Sequence, residues 1–475
     1  MDTKPTFQGE VVAEKLTIVS SDSHAGMPHE LWPEYLDKKF HHLLPQLEQD
    51  NIVYPQAIYI LGSRRGSSDS LPEHREIHAN GWHGLHDAVL RMADMDREGV
   101  AAELIYHGDS RQGDLFHNGT NKEYPLDAWN AGAKAWNRWA ADNFGFAMDR
   151  FLVTAAIGPC VDLDDAIAEI NWIADHKFTA TYGPGYLRHA DLAPLFDPYW
   201  DPFFATCAER DIPMVAHAGF GTEQGEVFPK LQGIWDAAAK AAGSTEFEEL
   251  LKHADAVPEE YGLFFQRFLN HSIPARRPLW QLMFGGAFDR HPNLKFMPTE
   301  IRLDWLPATL AFLDDVYEEN RKDLPAKRKP SEYWRTNCLS GASFIHKAEV
   351  EMRHEIGIET IAFGRDYPHP EATWPHTREW LQDAFRGVPE DELRLMLGGN
   401  MIRFFNLDEA RLKEISRRIG PTVEEINGFE GEIRPELMEN FAARGGYLKP
   451  AEGDRELPNL EPVMKGDLEQ LLAAH

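Results

Sequence analysis

Apolar, β-rich runs recur along this chain and alternate with stretches of helical period. The runs predict strands at 16–22 (LTIVSSD), 101–106 (AAELIY), 151–157 (FLVTAAI), 177–182 (KFTATY), 212–217 (IPMVAH), 294–299 (LKFMPT), 334–340 (WRTNCLS) and 360–365 (TIAFGR). Most are too continuously apolar for a half-exposed antiparallel sheet and suit strands covered on both faces. Between them, 162–176 (DLDDAIAEINWIADH) carries Ile167, Ile170, Ile173 and Ala174 at helical spacing, with Asp162 or Asp164 as its cap. Residues 197–211 repeat the pattern with Trp200, Phe203, Phe204 and Cys207. Alternating strands and helices imply right-handed parallel β/α units. Eight such strands predict an α/β fold, a closed (β/α)8 barrel of the TIM type. A doubly wound open sheet is the alternative, and no GxGxxG follows a strand to support it.

Two long connections, about 61–99 and 221–270, read as helical insertions that cap the C-terminal face of the barrel. The first holds His74, His78, His83 and His86, which GWHG interrupts and which read as lid or surface histidines. The barrel is expected over 1–408. Residues 409–475 read as a C-terminal extension, irregular with short helices, of a kind that often packs on a neighbouring subunit.

Composition narrows the classes. The chain has 475 residues, 43% hydrophobic and 26% charged, so a buried core is feasible. Its net charge of −29 argues against nucleic acid or an anionic membrane as partner. Cys160, Cys207 and Cys338 are far apart without CxxC spacing and read as buried thiols in a reducing compartment. The first residues lack a signal-peptide pattern, and no run approaches the ~20 apolar residues of a membrane span. A cytoplasmic protein is the default expectation, with a homodimer the default assembly.

Acids and histidines stand where the parallel strands should end, as a metal site on a barrel rim requires. Asp22 and His24 are two apart, so on a strand both face one side; SSDSHAG is also a good turn composition. His217 ends IPMVAH and is either a ligand or a buried histidine satisfied by backbone. Asp366 follows Gly364-Arg365 and can bind a metal while accepting a proton, or cap a turn. Glu300 ends LKFMPTE; it can ligate, bridge two ions, act as acid or base, or pair with Arg302. His271, in LNHSIPARR, is placed to reach substrate from a loop.

The blocks DSHAG, VAHAG, GGAFDRHPNLKFMPTEIRLDWLP, GRDYPHPEATWP and LGGNMIRFF together resemble the amidohydrolase-related family, from about residue 16 to 408. That is the branch that also contains aminocarboxymuconate-semialdehyde decarboxylase and aromatic-acid decarboxylases. The resemblance implies that the barrel is distorted and holds a divalent metal at its C-terminal mouth. It makes Asp22 and His24 the first-strand ligands, His217 the fifth-strand ligand, and Asp366 the eighth-strand ligand and proton acceptor. The chain departs from the family in three places: Asp22-Ser23-His24 replaces the usual HxH or ExH, Met27 replaces a glutamate before Pro28, and Glu300-Ile301-Arg302-Leu303 stands where family decarboxylases carry a histidine.

With Glu300, the candidate ligands number five, more than one open site needs, so one or two ions are expected. Zinc leads by prior, with manganese and iron open. The resulting expectation is a hydrolase that attacks an amide, ester or thioester carbonyl of a small, partly apolar organic acid with metal-activated water. Asp366, Glu300 and His271 would act on it, and Arg302, Arg188, Tyr182, Tyr106 and His369 would contact it. The first rival is a metal-dependent decarboxylase of an aromatic or unsaturated acid. The second is a silent barrel that only binds.

Overall fold

The computed structural model of the chain describes residues 14–48, 71–73, 83–108, 124–184, 192–218, 273–369, 372–448 and 457–474. The strands are β1 (Ile18–Ser20), β2 (His24–Ala25), β3 (Val100–His107), β4 (Phe151–Ala155), β5 (Ala180–Tyr182), β6 (Met214–His217), β7 (Phe296–Thr299), β8 (Ser340–Ser343) and β9 (Ile361–Gly364). They are parallel and pair in the order β1-β3-β4-β5-β6-β7-β8-β9, with β2 pairing β3 just beyond β1. The ring closes where Ser21 N–H donates to the Phe363 carbonyl at 2.8 Å and Ser23 bridges Tyr367. This is the (β/α)8 barrel that the alternation predicts, and closure excludes the doubly wound sheet. Every residue of the nine strands is buried, which accounts for their continuous apolar character.

Helices cover the ring: α1 (Ala88–Glu98), α2 (Leu126–Phe144), α3 (Leu163–Asp175), α4 (Asp201–Glu209), α5 (Ile273–Phe284), α6 (Leu306–Asn320), α7 (Pro330–Asn337) and α8 (Thr377–Ala384). Helix α3 starts as its sequence suggests, with the Asp162 carboxylate accepting from the amides of Asp164 and Asp165. Its Ile170 and Ile173 are buried, as are Trp200, Phe203, Phe204 and Cys207 around α4. All three cysteines are free and buried. Helix α1 falls inside the stretch expected to be an insertion. It lies against the barrel, with Arg91 and Met95 buried. The insertion at 221–270 lies outside the described residues.

One predicted strand is wrong. Residues 334–340 are mostly helix: α7 runs to Asn337, and the strand beside it is β8, Ser-Gly-Ala-Ser. Pro330 opens α7, and Glu332 accepts from the Lys329 amide at 2.9 Å. Strand β8 carries no bulky apolar residue because its neighbour is too close; a Cβ on Gly341 would lie 2.8 Å from Thr299 side-chain atoms. A search for apolar runs therefore lands on the Trp334 end of the helix and passes over the strand.

The extension beyond 408 is more regular than expected. It forms α9 (Glu409–Ile419), α10 (Pro435–Leu448) and α11 (Leu457–Ala474), joined by a short turn of helix at Val423–Ile426. It packs on the barrel of its own chain, burying Leu412, Ile415, Leu437, Phe441, Leu460 and Met464 in the common core. Helix α11 is pinned to α5 by Asp467. Its carboxylate accepts from Arg277 Nη2 at 2.6 Å, Arg277 Nε at 2.9 Å and Trp280 Nε1 at 2.7 Å. Asp467 is buried, so removing its charge strands a guanidinium beside an apolar face. Asp467→Asn is expected to lower unfolding free energy by about 2 kcal/mol in urea titrations; an unchanged midpoint would mean that this contact does not hold α11 down.

Candidate metal centre

The barrel gathers four strand ends around His24. Asp22 Oδ1 lies 3.2 Å from His217 Nε2 and 3.5 Å from His24 Nε2. His24 Nε2 in turn lies 3.4 Å from Asp366 Oδ1. The donor atoms of Asp22, His24 and His217 fall within 4.8 Å of one another, as do those of His24, Asp366 and His369. With metal–ligand bonds of about 2.0–2.1 Å, tetrahedral ligand atoms stand about 3.3 Å apart. The spacings here match that edge length.

Neighbours fix each side chain. Asp22 Oδ2 accepts from the Ser343 hydroxyl, which leaves Oδ1 facing the two imidazoles. His217 Nδ1 is 2.8 Å from the Ala218 carbonyl, to which it donates if Nε2 is to keep its lone pair for a metal. Burial, together with the charges of His369 and His217, holds the His24 imidazole well below its usual pKa. A hydrogen bond with the His107 backbone acts weakly in the opposite sense. Burial likewise keeps His107 neutral. A neutral imidazole is the form that binds a cation.

Glu300 and Asp366 share an uncommon backbone: φ is 52° for the first and 55° for the second, in the left-handed region. Residues other than glycine adopt it at a cost, and such strain gathers at functional sites. Each stands just past a strand end. The Asp366 amide donates to the Asp22 carbonyl at 3.0 Å, and the Glu300 amide donates to the Gly341 carbonyl at 3.1 Å.

Glu300 Oε2 lies 3.3 Å from His217 Nδ1, the ring nitrogen that faces away from Asp22. It joins neither of the two groups that could hold an ion, among the described residues. His369 Nδ1 sits 3.0 Å from Asp366 Oδ1, and its ring stacks on His24 at 4.0 Å. Tyr106 lies against the cluster, 4.8 Å from the His217 ring, with its hydroxyl 2.7 Å from Thr299 Oγ1. Tyr182 stands one ring further out, 5.8 Å from Tyr106. Arg302 is buried and pairs with Asp304. Arg188 and His271, along with His74 and His78, lie outside the described residues.

Thr299, Ser343 and His107 are not marked by the sequence: small hydroxyl residues at strand ends carry no distinctive pattern, and only neighbours across the barrel reveal all three. Glu103 does carry a signal, an acid in the middle of the apolar run AAELIY.

Each of the two groups joins one carboxylate to two imidazoles, which fits a divalent ion, and such nitrogen and oxygen sets accept several first-row metals. Asp22, His24 and His217 are the residues best placed to hold it.

The fold recurs in solved structures. An amidohydrolase from Mycobacterium avium subsp. paratuberculosis K-10 is 18% identical, with a TM-score of 0.58 over 82% of this chain and 99% of its own. The 5-carboxyvanillate decarboxylase of Sphingomonas paucimobilis is 17% identical, with a TM-score of 0.52 over 83% and 100%. A dihydroxybenzoic acid decarboxylase from Polaromonas sp. JS666, solved with manganese and 2-nitroresorcinol, is 18% identical, with a TM-score of 0.52 over 84% and 99%. No curated protein sequence matches. The sequence pattern of the family described as Amidohydrolase matches residues 41–407. Most of the chain falls within that match, and the barrel carries its candidate ligands at the strand ends, so this protein belongs to the amidohydrolase family.

Proposed function

We propose that this protein is a metal-dependent carboxy-lyase that removes carbon dioxide from a small aromatic or unsaturated acid. The observation that carries this reading is a buried metal centre set against an aromatic wall. Asp22, His24 and His217 form one group of donors, and His24 joins it to a second made with Asp366 and His369. Glu300 stands on the far nitrogen of His217, where it orients that ring rather than calling for a second ion.

When bound, a divalent ion supplies a positive centre that polarises a substrate oxygen. The chain supplies the rest. Asp22, His24, Tyr106 and Tyr182 are fully buried, so a carboxylate drawn among them loses hydration that neutral carbon dioxide does not need. Breaking the carbon–carboxylate bond leaves an electron pair on carbon, which must gain a proton. Asp366 is placed to deliver it, with His369 at 3.0 Å able to restore that proton from the loop side. Solved relatives of the same fold are named as decarboxylases of aromatic acids, and one holds manganese, which favours manganese alongside zinc as the ion. The hydrolytic reading keeps one specific support: the family description, shared by the mycobacterial structure.

Solvent labels separate the two. With manganese and a panel of hydroxybenzoates, their methyl esters and their amides in D2O enriched in 18O, a carboxy-lyase acts on the free acids, places one deuterium on the vacated carbon and leaves no 18O in the aromatic product. An 18O atom in a product carboxylate, with no carbon dioxide released, would establish hydrolysis and sink the proposal. Chelation is expected to abolish turnover, and added manganese or zinc to restore it; turnover that persists in metal-free protein would refute the role of the ion. Asp366→Asn should keep the fold while lowering kcat by at least about 100-fold, the scale of a lost acid–base group. Activity within a few fold of wild type would move proton delivery to another residue.

A further inference from the structure

Glu103 sits in the middle of β3, wholly buried, and binds two arginines. Its Oε1 accepts from Arg91 Nε at 2.6 Å, and its Oε2 accepts from Arg365 Nε at 2.7 Å. Arg91 and Arg365 are also fully buried. Burial pushes the Glu103 carboxyl up, but Arg365 and Arg91 outweigh it and hold the group below the usual carboxylate range. It is therefore ionised.

Each arginine leads to a different edge of the metal centre. Arg91 Nη1 donates to the His24 carbonyl at 2.6 Å and to the Gly84 carbonyl at 3.2 Å. Arg365 immediately precedes Asp366, and its own amide donates to Ser20 Oγ at 2.9 Å. That hydroxyl donates in turn to the Asp22 carbonyl at 2.8 Å. Both guanidinium groups lie over the Tyr367 ring, Arg365 at 4.5 Å and Arg91 at 4.9 Å. Asp22 and His24 come from the first strand segments and Asp366 from the last. They meet only where the barrel closes, so their spacing depends on how that seam is held.

A buried ion triad is weak support for stability, because desolvation cancels most of the attraction. Its geometric effect is not cancelled. Two bidentate-capable guanidinium groups on one carboxylate fix direction as well as distance. We infer that Glu103, with Arg91 and Arg365, is a positioning device that clamps the first and last strand ends at the spacing metal binding around His24 requires. Neither Glu103 nor the arginines touch the ion or substrate in this role. The inference rests on the metal-dependent reading above and adds to it which residues set the affinity of the centre.

The test is calorimetric titration of Mn2+ into metal-free full-length protein, beside thermal unfolding of the same samples. Glu103→Gln and Arg91→Lys are expected to weaken Mn2+ binding roughly 10- to 100-fold, as loss of partners behind metal ligands does. Asp467→Asn, which breaks a buried ion pair on α11, serves as the control: it should lower thermal stability and leave Mn2+ affinity unchanged. Should Glu103→Gln fail to fold, Arg91→Lys decides, since it keeps the charge and loses the planar fork. Wild-type affinity in a folded Arg91→Lys, or equal weakening by Asp467→Asn, would overturn the clamp while leaving the metal centre standing. Failure of the wild-type chain to bind either Mn2+ or Zn2+ would overturn the metal reading itself and the clamp with it.

Discussion

Two buried carboxylates, Asp22 and Asp366, stand within about hydrogen-bonding reach of the same nitrogen of His24, at 3.5 and 3.4 Å. Both are fully buried, and the histidine between them is held neutral by its surroundings. Oxygen and nitrogen donors gathered in so dry a place suit a bound cation. The barrel has to hold this arrangement. It does so with the seam between the first and last strands: the Phe363 carbonyl on Ser21, the Asp22 carbonyl on the Asp366 amide, and the Tyr367 carbonyl on the His24 amide. Each of these bonds joins backbone on one side of the seam to backbone on the other.

Residues around the seam are chosen for closeness more than for apolar area. A Cβ on Gly364 would stand 2.9 Å from the Asp22 Cβ and 3.0 Å from Ser343 Oγ. Ser343 then uses the room to donate to Asp22. The positive φ of Glu300 and Asp366 is the same kind of compromise, in which the chain accepts backbone strain in leaving the strand where a functional side chain stands. Further out, α10 and α11 extend the apolar core from outside the ring, and α11 is tied to α5 through Asp467. The mouth can carry strain and buried charge because the rest of the barrel wall is continuous and well covered.

Much of this was legible in the order of residues. Period-two geometry already puts Asp22 and His24 on one side, and the ends of apolar runs already mark His217 and Asp366. Glu300 was legible as a site residue but not as to its part. Which imidazole nitrogen its carboxylate faces depends on a left-handed residue and on the distance across the ring to His217. Strand β8 was illegible, because its small residues answer to Thr299 on the next strand and not to any local pattern.

The sequence by itself determined the alternation of buried strands and amphipathic helices, hence the barrel, and the types of residue at the strand ends, hence a centre suited to a divalent ion. Both follow from short-range periodicity, which a chain carries in its own order. Tertiary structure alone decided which donor atoms converge, which acid supports a ring, and that Glu103 reaches Arg91 at a separation of 12 residues and Arg365 at 262. Those contacts exist only once the ring has closed, because distance across a barrel is set by strand tilt and register and not by position along the chain.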